Sequence, residues 1–191
     1  MGTSLTFVLG GARSGKSTYA EKLASENRAT VLYVATGLPL DGEMAERVAA
    51  HRASRPKGWR TVEAPQEAGK VIREKGTVIE VILLDCLTLL ASNVICALPE
   101  PVSAAAAEAA LEVELKELIG AFLRSPARWI VVSNEVGLGI VPDTPLGRVY
   151  RDALGRANQR LADLADTVNL MVAGIPVDVK RPKAIQQSPS E

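Results

Sequence analysis

The chain has 191 residues, with 22 Lys and Arg, 22 Asp and Glu, and one His, so its formal net charge is zero. This balance argues against broad binding to nucleic acid or to an anionic membrane surface, because those partners select an excess of Lys and Arg. One His and two Cys are too few for a His- or Cys-rich zinc site. Cys86 and Cys96 lie outside any CxxC pair, which predicts buried, reduced thiols. No basic leader and no run of about 18 apolar residues is found, so we expect a cytoplasmic protein without membrane insertion.

Short apolar runs alternate with amphipathic segments along the chain. The apolar runs predict buried strands at 6–9, 30–36, 78–84, 128–133 and 167–173. The segments between them predict helices at 16–26, 41–52, 102–123 and 146–165. Such alternation is typical of an α/β fold with a doubly wound, mainly parallel sheet flanked by helices. We expect a single domain over residues 1–180 and a flexible tail over 181–191.

A phosphate-binding loop is predicted between the first strand and the first helix. The residues Gly10, Gly11, Ala12, Arg13, Ser14, Gly15, Lys16 and Ser17 satisfy the pattern G-x-x-x-x-G-K-[ST] in this context. The glycines allow successive N–H groups to surround a phosphate, and the positive end of the helix dipole adds to the attraction. Lys16 is expected to reach the β- and γ-phosphates, and the Ser17 hydroxyl is expected to bind Mg²⁺. The motif therefore predicts a fold like that of the P-loop NTPases.

Acidic residues follow two of the predicted strands. Asp85 ends the run VILLD and is a candidate second ligand for Mg²⁺, although it could instead cap the helix that follows. Glu135 holds a comparable position after the strand that ends at Ser133. Ligands of open α/β sheets gather at the carboxyl ends of the strands, so both carboxylates are expected at one edge.

The single histidine lies among arginines. Arg47, His51 and Arg55 follow one another at helical spacing, with apolar residues beside them. One interpretation is a histidine at the margin of a core-facing surface. The other is a nucleophile, because neighbouring guanidinium groups would keep the imidazole neutral and would stabilise charge developing on a phosphate. The residues alone leave both interpretations open.

Several segments together resemble a known family. They are GGARSGKS, VLYVATG, DGEMAERVAAHRASRPKGWRTVE, LLDCLTLLASN, SNEVGLGIVP and GRVYRDALGRANQ. In this order they are similar to the bifunctional cobinamide kinase/cobinamide-phosphate guanylyltransferases of cobalamin biosynthesis. The resemblance extends from about Thr6 to Lys180, and the part from Ser133 to Gln159 is far more specific than a phosphate loop.

The resemblance implies two reactions. In the first, the aminopropanol hydroxyl of adenosylcobinamide is phosphorylated with ATP or GTP. In the second, GMP passes from GTP to that phosphate through a guanylylated histidine, which corresponds to His51, and adenosylcobinamide-GDP and pyrophosphate are formed. The family also implies a homotrimer. Its nucleotide contacts correspond to the loop 10–17 and to Ala35, Thr36, Gly37, Arg52, Ala53, Ser54, Arg55, Glu63 and Asp85.

Two other functions are compatible with the sequence. One is a monofunctional P-loop kinase of another small hydroxylated substrate, in which His51 is structural. The other is a nucleotide-sensing protein without catalytic activity. The roles of Asn134 and Glu135 and the residues that bind the corrinoid stay unassigned at this point.

Overall fold

The computed structural model describes residues 3–38, 56, 58–76 and 78–181. In these ranges the strands are β1 Ser4–Gly10, β2 Val31–Ala35, β3 Arg60–Glu63, β4 Val81–Asp85, β5 Arg128–Val132, β6 Thr167–Val172 and β7 Ile175–Lys180. The α-helices are α1 Lys16–Ala24, α2 Ala68–Lys75, α3 Leu87–Cys96, α4 Ala104–Leu123 and α5 Pro145–Leu164, with a 3₁₀ turn at Glu26–Arg28.

All of these strands form one sheet, in the order β3-β2-β4-β5-β1-β6-β7. Every neighbouring pair is parallel except β6 and β7, which form an antiparallel hairpin. The central strands are runs of apolar residues because helices cover both of their faces. Since β5 lies between β1 and β4, the residues that follow β5 emerge between the phosphate loop and Asp85.

The helices form two layers of unequal size. Helix α1 packs on one face, against β1, β4 and β5, over a smaller core that includes Val8, Tyr33 and Ile130. Helices α2 to α5 contribute to the larger core on the other face, where Phe7, Leu84 and Trp129 are almost fully buried. This arrangement places the N-terminus of α1 and that of α3 near the carboxyl edge of the sheet.

The predicted fold class is confirmed, and five of the strands lie within three residues of their predicted ends. Strands β3 and β7 and helices α2 and α3 were not predicted. The two strands gave no signal because they are exposed edge strands without a buried apolar run. The predicted helix at 41–52 and residues 182–191 lie outside the described residues. Burial was wrongly predicted for Cys96, whose side chain is exposed. In the part of the chain that the structure describes, no helix is both long enough and apolar enough to cross a membrane.

Candidate active site

The phosphate loop joins the end of β1 to the start of α1. Gly10 and Gly15 have φ angles of 153° and 92°, which L side chains rarely adopt. A Cβ atom at Gly10 would lie 2.6 Å from Ser14 Oγ and 2.7 Å from the carbonyl oxygen of Met171. Conformation and space therefore both require glycine at this position, as the phosphate-loop pattern predicted.

Two polar side chains of this loop are buried and could bind a phosphate. Lys16 is only 8% exposed, and its Nζ donates a hydrogen bond to the Gly11 carbonyl oxygen at 2.5 Å. Burial lowers the pKa of the Lys16 ammonium, and the negative charge of Asp85 opposes that shift. Ser14 Oγ is buried and has no hydrogen-bond partner among the described residues. A bound phosphate would supply acceptors for both groups.

The turn between β6 and β7 contacts the main chain of the phosphate loop. The Gly174 N–H donates to the Ser14 carbonyl oxygen at 3.0 Å. A Cβ at Gly15 would lie 3.2 Å from Gly174 Cα, so the two main chains pass close to each other. The loop is thereby fixed by a distant part of the chain as well as by its own glycines.

The ends of β2, β3 and β4 lie side by side. Ala35 is in register with Glu63 of β3 and with Asp85 of β4. The Thr36 hydroxyl accepts a hydrogen bond from the Cys86 N–H at 2.8 Å and donates one to the Cys86 carbonyl oxygen at 2.7 Å. These bonds keep the segment 35–37 beside Asp85, as the predicted nucleotide contacts require.

Asp85 is the last residue of β4 and is oriented by a buried tyrosine. The Tyr33 hydroxyl donates a hydrogen bond to Asp85 Oδ2 at 2.8 Å. The alternative role of Asp85 as a helix cap is wrong, because the N-cap residue of α3 is Cys86. Among the described residues, no group of three or more His, Cys, Asp or Glu side chains could hold a metal. A magnesium ion here would thus depend on Asp85, Ser17 and phosphate oxygens, which is the coordination that Mg²⁺ commonly adopts with nucleotides.

The thiol of Cys86, next to Asp85, favours its protonated form. Burial, and secondly the charge of Asp85, raise the pKa of the Cys86 thiol to about 11. The reactive form of cysteine is the thiolate, which such a pKa makes scarce.

A buried network of hydrogen bonds at the end of β5 was not predicted. The Asn134 N–H donates to Thr88 Oγ1 at 2.7 Å, and the Asn158 amide donates to the Asn134 carbonyl oxygen at 3.0 Å. Ser133 Oγ donates to Asn158 Oδ1 at 2.7 Å, and the Tyr150 hydroxyl donates to the Thr88 carbonyl oxygen at 3.0 Å. One feature of the sequence indicated this network: four of its residues fall within 133–159, the part of the chain where the family resemblance is most specific.

This network leads directly to Glu135. The Glu135 N–H donates to the Gly10 carbonyl oxygen at 3.1 Å, and Glu135 Oε1 accepts a hydrogen bond from the Gly137 N–H at 2.8 Å. The first residue of the phosphate loop and the residues that follow β5 are therefore directly bonded. The carboxylate lies at the sheet edge where its position after the strand predicted it.

The remaining predicted site residues divide into two groups. Glu63 is described and lies exposed at the end of β3. The others are outside the described residues: His51, Arg52, Ala53, Ser54 and Arg55.

The chain was compared with known proteins. The sequence model of the family described as "Cobinamide kinase / cobinamide phosphate guanyltransferase" matches residues 6–179. The bifunctional adenosylcobalamin biosynthesis protein CobU of Escherichia coli (strain K12) is 44% identical over 181 residues, which are 92% of this chain and 99% of that protein. CobU of Salmonella typhimurium is 45% identical, with the same shares covered. CobP of Pseudomonas aeruginosa is 41% identical over 174 residues, 91% of this chain and 95% of that protein.

These matches cover the phosphate loop, the ends of β2 and β4, and the network that follows β5. The resemblance inferred from the sequence segments is confirmed. The chain is a transferase and belongs to the cobinamide kinase / cobinamide phosphate guanyltransferase family.

Proposed function

We propose that this chain catalyses two successive reactions on one corrinoid. It phosphorylates adenosylcobinamide with ATP or GTP, and it then transfers GMP from GTP to the new phosphate. The products of the second step are adenosylcobinamide-GDP and pyrophosphate. The observation that carries the proposal is the buried Lys16 ammonium in a phosphate loop beside Asp85, in a chain of this family.

In the kinase step, the loop 10–17 binds the phosphates of the nucleotide. The hydroxyl oxygen of the aminopropanol arm attacks the γ-phosphorus, the bond from that phosphorus to the β-phosphate oxygen breaks, and the hydroxyl proton is released. Lys16 stabilises the charge on the transferred group, because a buried ammonium acts more strongly there than it would in water. Ser17 and Asp85 are the residues that would hold Mg²⁺, which neutralises phosphate charge when it is bound.

In the guanylyl step, an imidazole nitrogen of His51 attacks the α-phosphorus of GTP and pyrophosphate leaves. A phosphate oxygen of adenosylcobinamide phosphate then attacks the same phosphorus, and the N–P bond breaks to restore the imidazole. His51 is the only histidine of the chain, so no second imidazole can take this role.

The nucleotide contacts of the resemblance complete the proposed site. The described members of the set lie at the carboxyl ends of β2, β3 and β4, where the register brings Ala35, Glu63 and Asp85 side by side. We assign Thr36 and Gly37 to nucleotide contacts through the main chain, since the Thr36 hydroxyl already bonds Cys86 twice. Arg52, Ala53, Ser54 and Arg55 follow His51 directly in the sequence and are assigned to the same nucleotide.

The proposal extends to assembly and location. We assign a homotrimer on the basis of the family resemblance, and we place the enzyme in the cytoplasm. Strand β7 supports self-association, because Ile175, Val177 and Val179 are between 47% and 65% exposed.

The decisive experiment uses GTP labelled at the α-phosphate. Incubation followed by denaturation should leave a label on the protein that is stable to base and labile to acid, as a P–N bond requires. His51→Ala should abolish the label, whereas Cys86→Ala should retain it as a matched control. Phosphorylation of adenosylcobinamide without any protein-bound label would indicate a monofunctional kinase. If neither the protein-bound label nor phosphorylated adenosylcobinamide is formed, the chain is a nucleotide-sensing protein.

A further inference from the structure

A cleft of about 440 Å³ lies between α5 and the ends of β1 and β5. Its lining includes Leu9, Glu135, Arg151, Asp152, Arg156 and Gln159. The volume is within the range of small-molecule sites, and the lining combines apolar surface with charged groups. None of the nucleotide contacts assigned above lines this cleft.

The cleft adjoins the phosphate loop. Leu9 immediately precedes Gly10 in β1, and Glu135 is bonded through its N–H to the Gly10 carbonyl oxygen. The buried network of Thr88, Ser133, Asn134 and Asn158 fixes the main chain just before Glu135. A group bound at this end of the cleft would therefore be held next to the nucleotide phosphates.

Gly155 leaves part of the cleft wall open. It lies inside α5 and lines the cleft, yet a Cβ placed there would meet no atom within 4 Å. Its φ angle is not in the positive range that favours glycine. Glycine weakens a helix relative to alanine, and nothing within the described chain requires one here. A side chain at this position would therefore occupy part of the cleft.

The side chains of α5 indicate the chemistry of that molecule. Arg151 pairs with Asp152 at 2.9 Å and Arg156 pairs with Glu108 at 3.1 Å, so each guanidinium keeps further N–H donors available. Glu135 and Asp152 add carboxylate acceptors to the lining. Donors and acceptors together suit an arm that carries a hydroxyl before the kinase step and a phosphate after it.

We propose that this cleft binds the hydroxyl-bearing arm of the acceptor, with the arm's end at Glu135 and its middle over Gly155. The inference rests on the proposed function, because it names where the acceptor of the two reactions binds. Only the arm is assigned to the cleft, and the macrocycle stays outside it. In the kinase step, the hydroxyl oxygen forms the new bond to the γ-phosphorus while the bond from that phosphorus to the β-phosphate oxygen breaks. The nucleoside diphosphate leaves, and Glu135 takes the released hydroxyl proton.

The test compares Gly155→Ala and Gly155→Leu with Gly120→Ala. Gly120 lies in α4, outside the cleft, and a Cβ there would meet only the flexible end of Arg124. Gly155→Ala should raise Tm by about 1–4 °C, because it removes a helix glycine. The Km for adenosylcobinamide should rise a few-fold in Gly155→Ala and about tenfold or more in Gly155→Leu. Guanylylation of the protein by GTP, which needs no acceptor, should keep its wild-type rate in all three variants.

Equilibrium dialysis with adenosylcobinamide separates failure of this inference from failure of the proposed function. Binding by the wild type that is weakened in both Gly155 variants supports the cleft, even if no phosphorylation is seen. An unchanged dissociation constant in the Gly155 variants overturns it. A changed molecular mass in solution also overturns it, since Gly155 would then face a second copy of the chain. If Gly155→Leu does not fold, the more stable Gly155→Ala decides the outcome.

Discussion

The phosphate loop and the loop that follows β5 meet at one edge of the sheet, but they are held in different ways. The phosphate loop takes its shape from main-chain conformation, chiefly at Gly10 and Gly15. The segment 133–135 takes its position from side chains of α3 and α5, which lie 24 to 46 residues away in the sequence. A local motif and a tertiary network thus hold adjacent parts of one site.

Because the two regions are held differently, substitutions in them should have different effects. A change in the phosphate loop removes groups that we propose face the nucleotide. A change in the network leaves those groups intact and shifts the residues beside them. The variants below test the difference, from the largest expected effect to the smallest.

Lys16→Ala should reduce phosphoryl transfer by about 100-fold or more and should weaken GTP binding, because it removes the buried cation of the phosphate loop. Steady-state kinetics with ATP and titration with GTP would measure both effects. Lys22→Ala, at an exposed position of the same helix, is the matched control. Wild-type phosphoryl transfer in a folded Lys16→Ala protein would contradict the assignment of this loop.

Gly10→Ala should lower the free energy of unfolding by about 1–3 kcal/mol, because the new Cβ would clash with Ser14 Oγ and with the main chain of Met171. Chemical denaturation would measure this loss of free energy of unfolding. Gly11→Ala is a sharp control for stability, since a Cβ there meets no atom within 4 Å. Equal stability of the two variants would show that the loop is not fixed by its close approach to β6.

Asn158→Leu should lower the free energy of unfolding by about 2 kcal/mol, because it removes the hydrogen bond to the Asn134 carbonyl oxygen and leaves Ser133 Oγ with only its longer contact to Thr88 Oγ1. In protein that is still folded, we expect kcat of the kinase step to fall while the affinity for GTP changes little. Asp163→Leu, at an exposed position of α5, should alter neither quantity. A loss of GTP affinity as large as the loss of kcat would mean that the network supports the phosphate loop itself.

Tyr33→Phe should have the smallest effect and lower the free energy of unfolding by about 1 kcal/mol, because it removes the hydrogen bond that the Tyr33 hydroxyl donates to Asp85. The metal concentration for half-maximal activity should rise a few-fold. Binding of Mn²⁺ to the GTP complex, followed by electron paramagnetic resonance, gives a readout independent of turnover. Tyr19→Phe is the control. If both variants show the same metal dependence, the Tyr33 hydroxyl does not orient Asp85 for metal binding.

The sequence predicted the phosphate loop well because its information is local. The spacing of Gly10, Gly15 and Lys16, between an apolar run and a helical segment, specifies the loop without knowledge of the rest of the fold. Asp85 could be predicted for a similar reason, because it directly follows an apolar run. Excluding the helix-cap role of Asp85 needed the coordinates, since an Asp before a helix is compatible with either role; its role as a metal ligand stays a prediction.

The network and the cleft could not be predicted, since they depend on which elements become neighbours. Thr88 and Asn158 are unremarkable in the sequence, and their bonds to Asn134 exist only because α3 and α5 pack on the same face of the sheet. The order of the strands is likewise a tertiary property. Exposed strands β3 and β7 carry too few buried residues to give a periodic signal.

The position of β1 has a consequence for synthesis on the ribosome. This strand is made first, but its partners β5 and β6 begin at Arg128 and Thr167, and the phosphate loop is bonded to Gly174. The nascent N-terminal segment must wait for most of the chain before its sheet contacts can form. The phosphate loop therefore gains all of these contacts only after β6 and the following turn have been made, so a product released before Gly174 lacks the turn that supports this loop.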